Sequence, residues 1–342
     1  MNLRQGSRGI AVFFRKPADS LLYNRVMGRE IDKSGELLQA LRDNISKVFL
    51  GRPEVVDQLI IGLIASGHVL VEDVPGVGKT ILARALAKSV HCQFSRIQLT
   101  PDLLPSDLIG VSIYNEKTRE FEFKRGPIFA SIVLADEINR TTPRTQSALL
   151  EVMNEAQISV DGRTMPMARP FMVIATQNPF EFEGTYFLPE NQLDRFMLHI
   201  SIGYPSREQE GRIILEQPAR NTLEEIEPVM DAQDVVKLQN VVDQVRIEAS
   251  VMDYALQFIH ATREHRHLDL GVSPRGSQSL VRAAQALALL EGRSYLIPHD
   301  IKRLAVPVCA HRVLSKSYLD DSHSSSTSHI ISQIIDEIHV PV

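Results

Sequence analysis

Cysteine is scarce in this chain: Cys92 and Cys309 are the only two among 342 residues, and they lie far apart with no CxxC spacing. That argues against a disulfide framework or a cysteine-held metal, and the pair reads as buried thiols in a reducing cytoplasm. Long apolar runs are also missing, since no stretch approaches the ~18 residues of a membrane span. Nor does one sign of charge dominate. Against 37 basic residues stand 42 acidic ones, a net charge of −5, so no global field draws the chain toward nucleic acid. What remains is ordinary globular composition, 44% hydrophobic and 23% charged, with a length that suggests about two domains.

The N-terminus sets Arg4, Arg8, Arg15 and Lys16 around the short apolar run Ile10 to Phe14. That run is too short for a signal h-region and charge follows it. Residues 1–33 read as a disordered extension, or as sequence ahead of a true start at Met27. Leu37, Leu38, Leu41, Ile45 and Val48 then recur at helical spacing, Gly51-Arg52-Pro53 breaks the run, and Pro53 opens a further helix that Gly67 closes. Short β-branched runs alternate with helical segments as far as 205, with strands expected at 68–73, 93–99, 131–136, 171–177 and 199–204. Such alternation implies a mostly parallel sheet covered by helices on both faces. Two hairpins interrupt it: Val111 to Tyr114 with Phe121 to Phe123, and Ile158 to Val160 with Thr164 to Met167 around the turn Asp161-Gly162. After Tyr204-Pro205 only helices are expected, at 206–217, 232–247, 250–265, 274–291 and 298–313, forming a separate domain over 206–342. In its tail, Ser322 to Ser328 reads as a polar loop before an amphipathic stretch from Ile330 to Ile338.

The chemistry concentrates in a few places. Asp73-Val74-Pro75-Gly76-Val77-Gly78-Lys79-Thr80, between the apolar Val69-Leu70-Val71 and a helix opening at Ile81, has the strand–loop–helix context of a phosphate-binding loop. Asp73 stands where the usual G-x-x-x-x-G-K-[ST] pattern has its first glycine. Lys79 would reach the β- and γ-phosphates and the Thr80 hydroxyl would take a Mg²⁺ position. Downstream, Ser131 to Ala135 ends in Asp136-Glu137, a carboxylate to hold Mg²⁺ followed by one to polarise water. Asn178 tips another buried strand. Taken alone it is a turn asparagine before Pro179, while in this setting it could orient the attacking water or touch the γ-phosphate. Arg195 ends a short helix, where a solvated arginine is the ordinary expectation. Arg275 follows the N-cap Ser273 and Pro274, and a cation near a helix start is electrostatically costly unless an anion relieves it. His265-Arg266-His267 has no accompanying ligand set and reads as a charged helix end.

In that order the elements resemble an AAA+ ATPase. Gln98 to Asp107, Gly126 to Phe129, Leu134 to Arg140, Ala175 to Pro179 and Leu188 to Phe196 are similar to segments of the MoxR family over about residues 35–342. Members of that family often lack the first loop glycine. The resemblance implies an α/β fold of P-loop NTPase type, a three-layer αβα sandwich with parallel sheet order 5-1-4-3-2 over 34–205, plus the small all-α lid over 206–342. It implies ATP and Mg²⁺ as cofactors, Asn178 as sensor 1, Arg275 as sensor 2, and Arg195 as an arginine finger acting on a neighbouring subunit. It further implies a homo-oligomeric ring, usually a hexamer, doing chaperone-like remodelling in the cytoplasm, often with a separate von Willebrand A-domain protein. A chelatase-type subunit for metal insertion and a DNA-acting motor are the alternatives. The acidic balance and the absence of a basic helix-turn-helix module weigh against the motor.

Overall fold

The computed structural model describes residues 20–179, 184–218, 221–316 and 323–341. Helices α1 (Ser20–Val48) and α2 (Pro53–Ile64) precede β1 (Val69–Glu72), α3 (Lys79–Ser89), β2 (Phe94–Gln98) and α4 (Pro105–Ile109). A hairpin of β3 (Gly110–Asn115) and β4 (Glu120–Arg125) leads to β5 (Ile132–Asp136) and α5 (Pro143–Glu155). A second, β6 (Gln157–Val160) with β7 (Arg163–Pro166), leads to β8 (Met172–Gln177), α6 (Glu190–Leu193) and β9 (Leu198–Ile200). There follow α7 (Arg207–Glu216), α8 (Thr222–Glu225), α9 (Ala232–Val242), α10 (Ala249–Glu264), β10 (Leu268–Leu270), α11 (Pro274–Leu290), α12 (Pro298–Cys309), β11 (Leu314–Ser315) and α13 (His323–Glu337).

The central sheet is β2-β5-β8-β1-β9, with every pairing parallel. Counted by its own five strands from the β9 side, that is the expected order 5-1-4-3-2. Helices cover both faces, so β5 is buried throughout and β8 nearly so, as continuous apolar runs require. All strand C-termini point to one edge, where the loop after β1, the acidic pair after β5 and Asn178 after β8 converge.

Several expectations change. Residues 20–33 belong to α1, so the expected boundary at 33/34 falls inside a helix; residues 1–19 lie outside the described residues. The fifth strand stops at Ile200 rather than 204, because Arg52 takes the carbonyls of Ser201 and Ile202 while Asp73 takes the Gly203 N–H. Side chains thus satisfy groups a strand partner would otherwise need. The region beyond 205 is not purely helical, since β10 and β11 pair antiparallel. The tail expected as a loop at 322–328 is helical from His323, where Thr327, Ile330, Ile331, Ile334 and Ile335 are buried at helical spacing. Packing of that face outweighs the weak helix propensity of serine.

The helices after 205 also lack a core of their own. One buried cluster runs from Leu41, Ile60 and Leu86 to Tyr254, Leu287 and Ile331 without a break. Gln239 donates to Leu63 O (2.9 Å) and Arg282 to Ala65 O (2.8 Å), satisfying carbonyls at the C-terminal end of α2.

Candidate active site

The loop after β1 needs its glycines. Gly76 and Gly78 have φ of +87° and +98°, in the left-handed region where a side chain is strained. Val74 to Gly78 form the loop; Lys79, Thr80 and Ile81 open α3, so backbone N–H groups and the positive end of the helix dipole face the same space. Lys79 Nζ donates to Gln177 O (3.2 Å) and to Asp73 O. Burial holds its pKa below the ordinary lysine value, although Asp73, Asp136, Glu137 and Glu72 all act to raise it. One ammonium thus sits within reach of four carboxylates.

The acidic pair is held from two strands. Thr176 on β8 bridges it: its hydroxyl donates to Asp136 Oδ1 (3.2 Å) and accepts the Glu137 N–H (3.0 Å). On β2, residues two apart share a face, and each takes one carboxylate. Arg96 Nε lies 2.7 Å from Asp136 Oδ2, and Gln98 Nε2 lies 2.6 Å from Glu137 Oε2. Arg140 approaches the same Glu137 oxygen at 3.1 Å. Glu137 has φ +60°, an unusual backbone for a non-glycine residue and the kind of strain that functional sites hold. Asn178 is buried one residue beyond Gln177, whose carbonyl receives Lys79. The donor set fits Mg²⁺: hard oxygens from Thr80 and Asp136, with no cluster of three or more His, Cys, Asp or Glu among the described residues to suit a fully protein-caged metal.

Beside Gly76 to Gly78 opens an apolar cavity of about 300 Å³, walled by Phe49, Val77, Ile81, Ile202, Tyr204 and Ile213, within the range of small-molecule sites. It places an apolar slot beside the N–H groups of the loop. Val77 and Ile81 were expected to bind the nucleotide as part of the loop and the helix it opens, whereas Phe49, Ile202, Tyr204 and Ile213 were passed over, along with Thr176, Arg96 and Gln98. Residues 48–50 read as the end of a helix, Gly51-Arg52 as its break and 202–204 as the end of a strand, and which side chains wall a cavity depends on chain segments that meet only in the fold.

Arg195 and Arg275 are not in this site. Asp194 and Phe196 precede β9, at the N-terminal edge of the sheet. There Arg195 Nη1 donates to Leu150 O (2.6 Å) and Ser273 Oγ to the Asp194 carboxylate (3.0 and 3.1 Å). Arg275 acts electrostatically on His68, just before β1, and on Arg312. The four residues of β1, at about 3.3 Å each, separate that edge from the phosphate loop. The helix that carries Arg275, α11, packs against α1 and α2, and it is α7 that reaches the cavity.

Residues 68–198 match the family ATPase family associated with various cellular activities (AAA), and 260–334 match the AAA lid domain. The chain is 40% identical to Chaperone MoxR1 of Mycobacterium tuberculosis, over 87% of this chain and 80% of that one. It belongs to the MoxR family of AAA+ ATPases. Identity reaches 49% with the uncharacterized Bacillus subtilis protein YeaC, covering 90% of this chain and 95% of that relative. A candidate ATPase from Cytophaga hutchinsonii, solved by crystallography, superposes with a TM-score of 0.85 at 36% identity, covering 94% of this chain and all of the other. Similarity to the magnesium-chelatase subunit ChlI of Nicotiana tabacum, 31% identical, spans 56% of this chain and 45% of that protein.

Proposed function

We propose that this MoxR-family ATPase hydrolyses ATP at composite sites, each built from one subunit's phosphate loop and a neighbour's arginines, and uses the cycle to remodel client proteins in the cytoplasm. The observation that carries the reading is the split of the machinery: Lys79, Thr80, Asp136, Glu137 and Asn178 gather at one edge of the sheet, while Arg195 and Arg275 lie at the other. Within one subunit those arginines cannot meet the nucleotide, whereas in a head-to-tail ring, expected to be a hexamer, they can. In each site the loop N–H groups and Lys79 bind the phosphates. Glu137 takes the proton of the attacking water, Asn178 orients that water, and Arg195 and Arg275 stabilise charge on the phosphoryl group. Thr80 and Asp136 would hold Mg²⁺, which neutralises phosphate charge when bound. An arginine supplied by a neighbour is worth about 10³–10⁵ in rate, so assembly becomes the switch.

Remodelling is preferred over metal insertion because the likeness to MoxR1 spans most of both chains and the likeness to the chelatase subunit about half of each. A separate von Willebrand A-domain protein is the expected kind of partner. Lys79→Ala should lose nucleotide binding, Glu137→Gln should bind ATP and stall, and Arg195→Ala should bind ATP while hydrolysing at least a hundredfold more slowly, within the effect of a supplied arginine. Mixing Lys79→Ala with Arg195→Ala subunits should restore part of the turnover, since some interfaces then pair an intact loop with an intact arginine. An Arg195→Ala protein with undiminished hydrolysis would remove the shared site. The Glu137→Gln protein held in ATP should retain its client in a pull-down.

A further inference from the structure

Asp73 departs from the phosphate-loop pattern, and its side chain does what a glycine cannot. The residue is buried. Its Oδ1 accepts the Val74 N–H (2.8 Å); its Oδ2 accepts the Gly203 N–H (2.6 Å) and the Ser201 hydroxyl (3.3 Å). From the other side, Arg52 Nε donates to Ile202 O (3.0 Å) and Nη2 to Ser201 O. The short segment 201–203 is thus clamped between a carboxylate that takes its donors and a guanidinium that takes its acceptors. Gly203 has φ +72°, a backbone that favours glycine, and the Arg52 guanidinium lies in van der Waals range of where a Cβ would stand.

Ile202, Gly203 and Tyr204 form one wall of the apolar cavity, and Gly76, Val77 and Gly78 form another. These walls come from chain segments far apart in sequence. Asp73 belongs to the loop on one side and holds the segment leading to α7 on the other. Electrostatics sharpens the point, because a carboxylate in a phosphate-binding loop repels the ligand's charge. Its presence there needs a compensating use.

We propose that Asp73 is a positioning residue that registers the base cavity against the phosphate loop, so that one adenine nucleotide fills both at once. This rests on the reading of the loop as an adenine-nucleotide site. A pre-set spacing lets base and phosphate binding reinforce each other, because neither half must be ordered when the ligand arrives. Substituting the patterned glycine removes the acceptor for Gly203 and Ser201 and also removes the like charge. The two consequences pull different ligands in opposite directions.

The test is equilibrium binding of ADP and of inorganic tripolyphosphate to the wild-type chain and to Asp73→Gly, Asp73→Asn and Ser201→Ala. In Asp73→Gly, ADP should bind about ten- to a hundredfold more weakly, the scale of lost hydrogen bonds to a charged group, while tripolyphosphate binds as well as before or better. Asp73→Asn, which keeps one acceptor oxygen, should fall between. Ser201→Ala should weaken ADP alone, by a smaller factor, and gives an answer even if Asp73→Gly fails to fold. Equal weakening of both ligands would assign Asp73 to the shape of the loop alone and overturn the proposal, as would unchanged ADP binding. A wild-type chain that binds no ADP would instead overturn the nucleotide reading beneath it.

Discussion

At the residue scale, His68 illustrates how burial sets a titration. It sits at the foot of β1 and is buried. The Val173 N–H donates to Nδ1 (3.0 Å), which fixes the ring proton on Nε2, 2.9 Å from Met153 O. Both nitrogens are used by the neutral ring. Desolvation lowers its pKa from 6.5 to about 4 despite the Met153 hydrogen bond, with the charge of Arg275 adding to the lowering. Below pH 6.5 the unfolded chain takes up this proton and the folded chain does not until pH nears 4. Folding stability from this residue is therefore full above 6.5 and falls as pH drops from 6.5 toward 4, by up to about 1.4 kcal/mol per pH unit. Chemical denaturation across that range should give a shallower pH slope for His68→Gln than for the wild type. Parallel slopes would mean that the ring is solvated in solution.

At the element scale, the β3–β4 hairpin hangs on two glycines. A Cβ on Gly126 would lie 2.2 Å from Leu108 O, and one on Gly110, at φ +112°, would lie 2.2 Å from Lys124 O. Backbone meets backbone at the hairpin's root, so no flexible side chain can yield. Gly126→Ala should cost about 1–3 kcal/mol and pry the hairpin from its base. Amide exchange in β3 and β4 should quicken while the central sheet stays protected; uniform quickening would show the strain spreading into the sheet. Both hairpins were legible beforehand, since alternation at period two marked the strands. Asp161-Gly162 proves to have positive φ at both positions, as a two-residue turn of that kind requires. Strands β1, β5 and β8 were legible for a similar reason: apolar runs ending in polar tips carry their own boundaries. Where a boundary depended on a distant side chain, as at Ile200, or on burial of one helix face, as in α13, local pattern failed. The acidic pair and the loop glycines could be read directly because chemistry dictates residue type there. Thr176, Arg96 and Gln98 could not, because any of them is unremarkable until the fold brings it to a carboxylate.

At the scale of the whole molecule, what matters is how the helices after 205 are fixed to the sheet, and Arg312 is the main tie. Its guanidinium is buried, paired with Asp194 Oδ1 at 2.9 Å, and donates to the carbonyls of Phe196 (2.6 Å), Met197 (3.1 Å) and Val308. Desolvation lowers its pKa, against the pull of Cys309 and Asp194. Ser273 joins the same carboxylate, so one aspartate holds the helix that carries Arg275 and adjoins Arg195. Replacing Arg312 with Met keeps bulk but takes the charged partner from the half-buried Asp194 carboxylate and leaves the carbonyls of Phe196, Met197 and Val308 without this donor, each unsatisfied buried group costing about 1–3 kcal/mol. The apolar cavity is walled by α7, the loop after β1 and the segments 48–52 and 202–205, none of which Arg312 touches. Arg312→Met should therefore unfold at lower denaturant yet bind ADP with near wild-type affinity under native conditions. On the proposed shared site its hydrolysis should fall steeply, because Arg195 and Arg275 would lose their frame. If nucleotide affinity and turnover fell together, the docked helices would be serving the site of their own subunit, and the division of labour across the sheet would have to be redrawn.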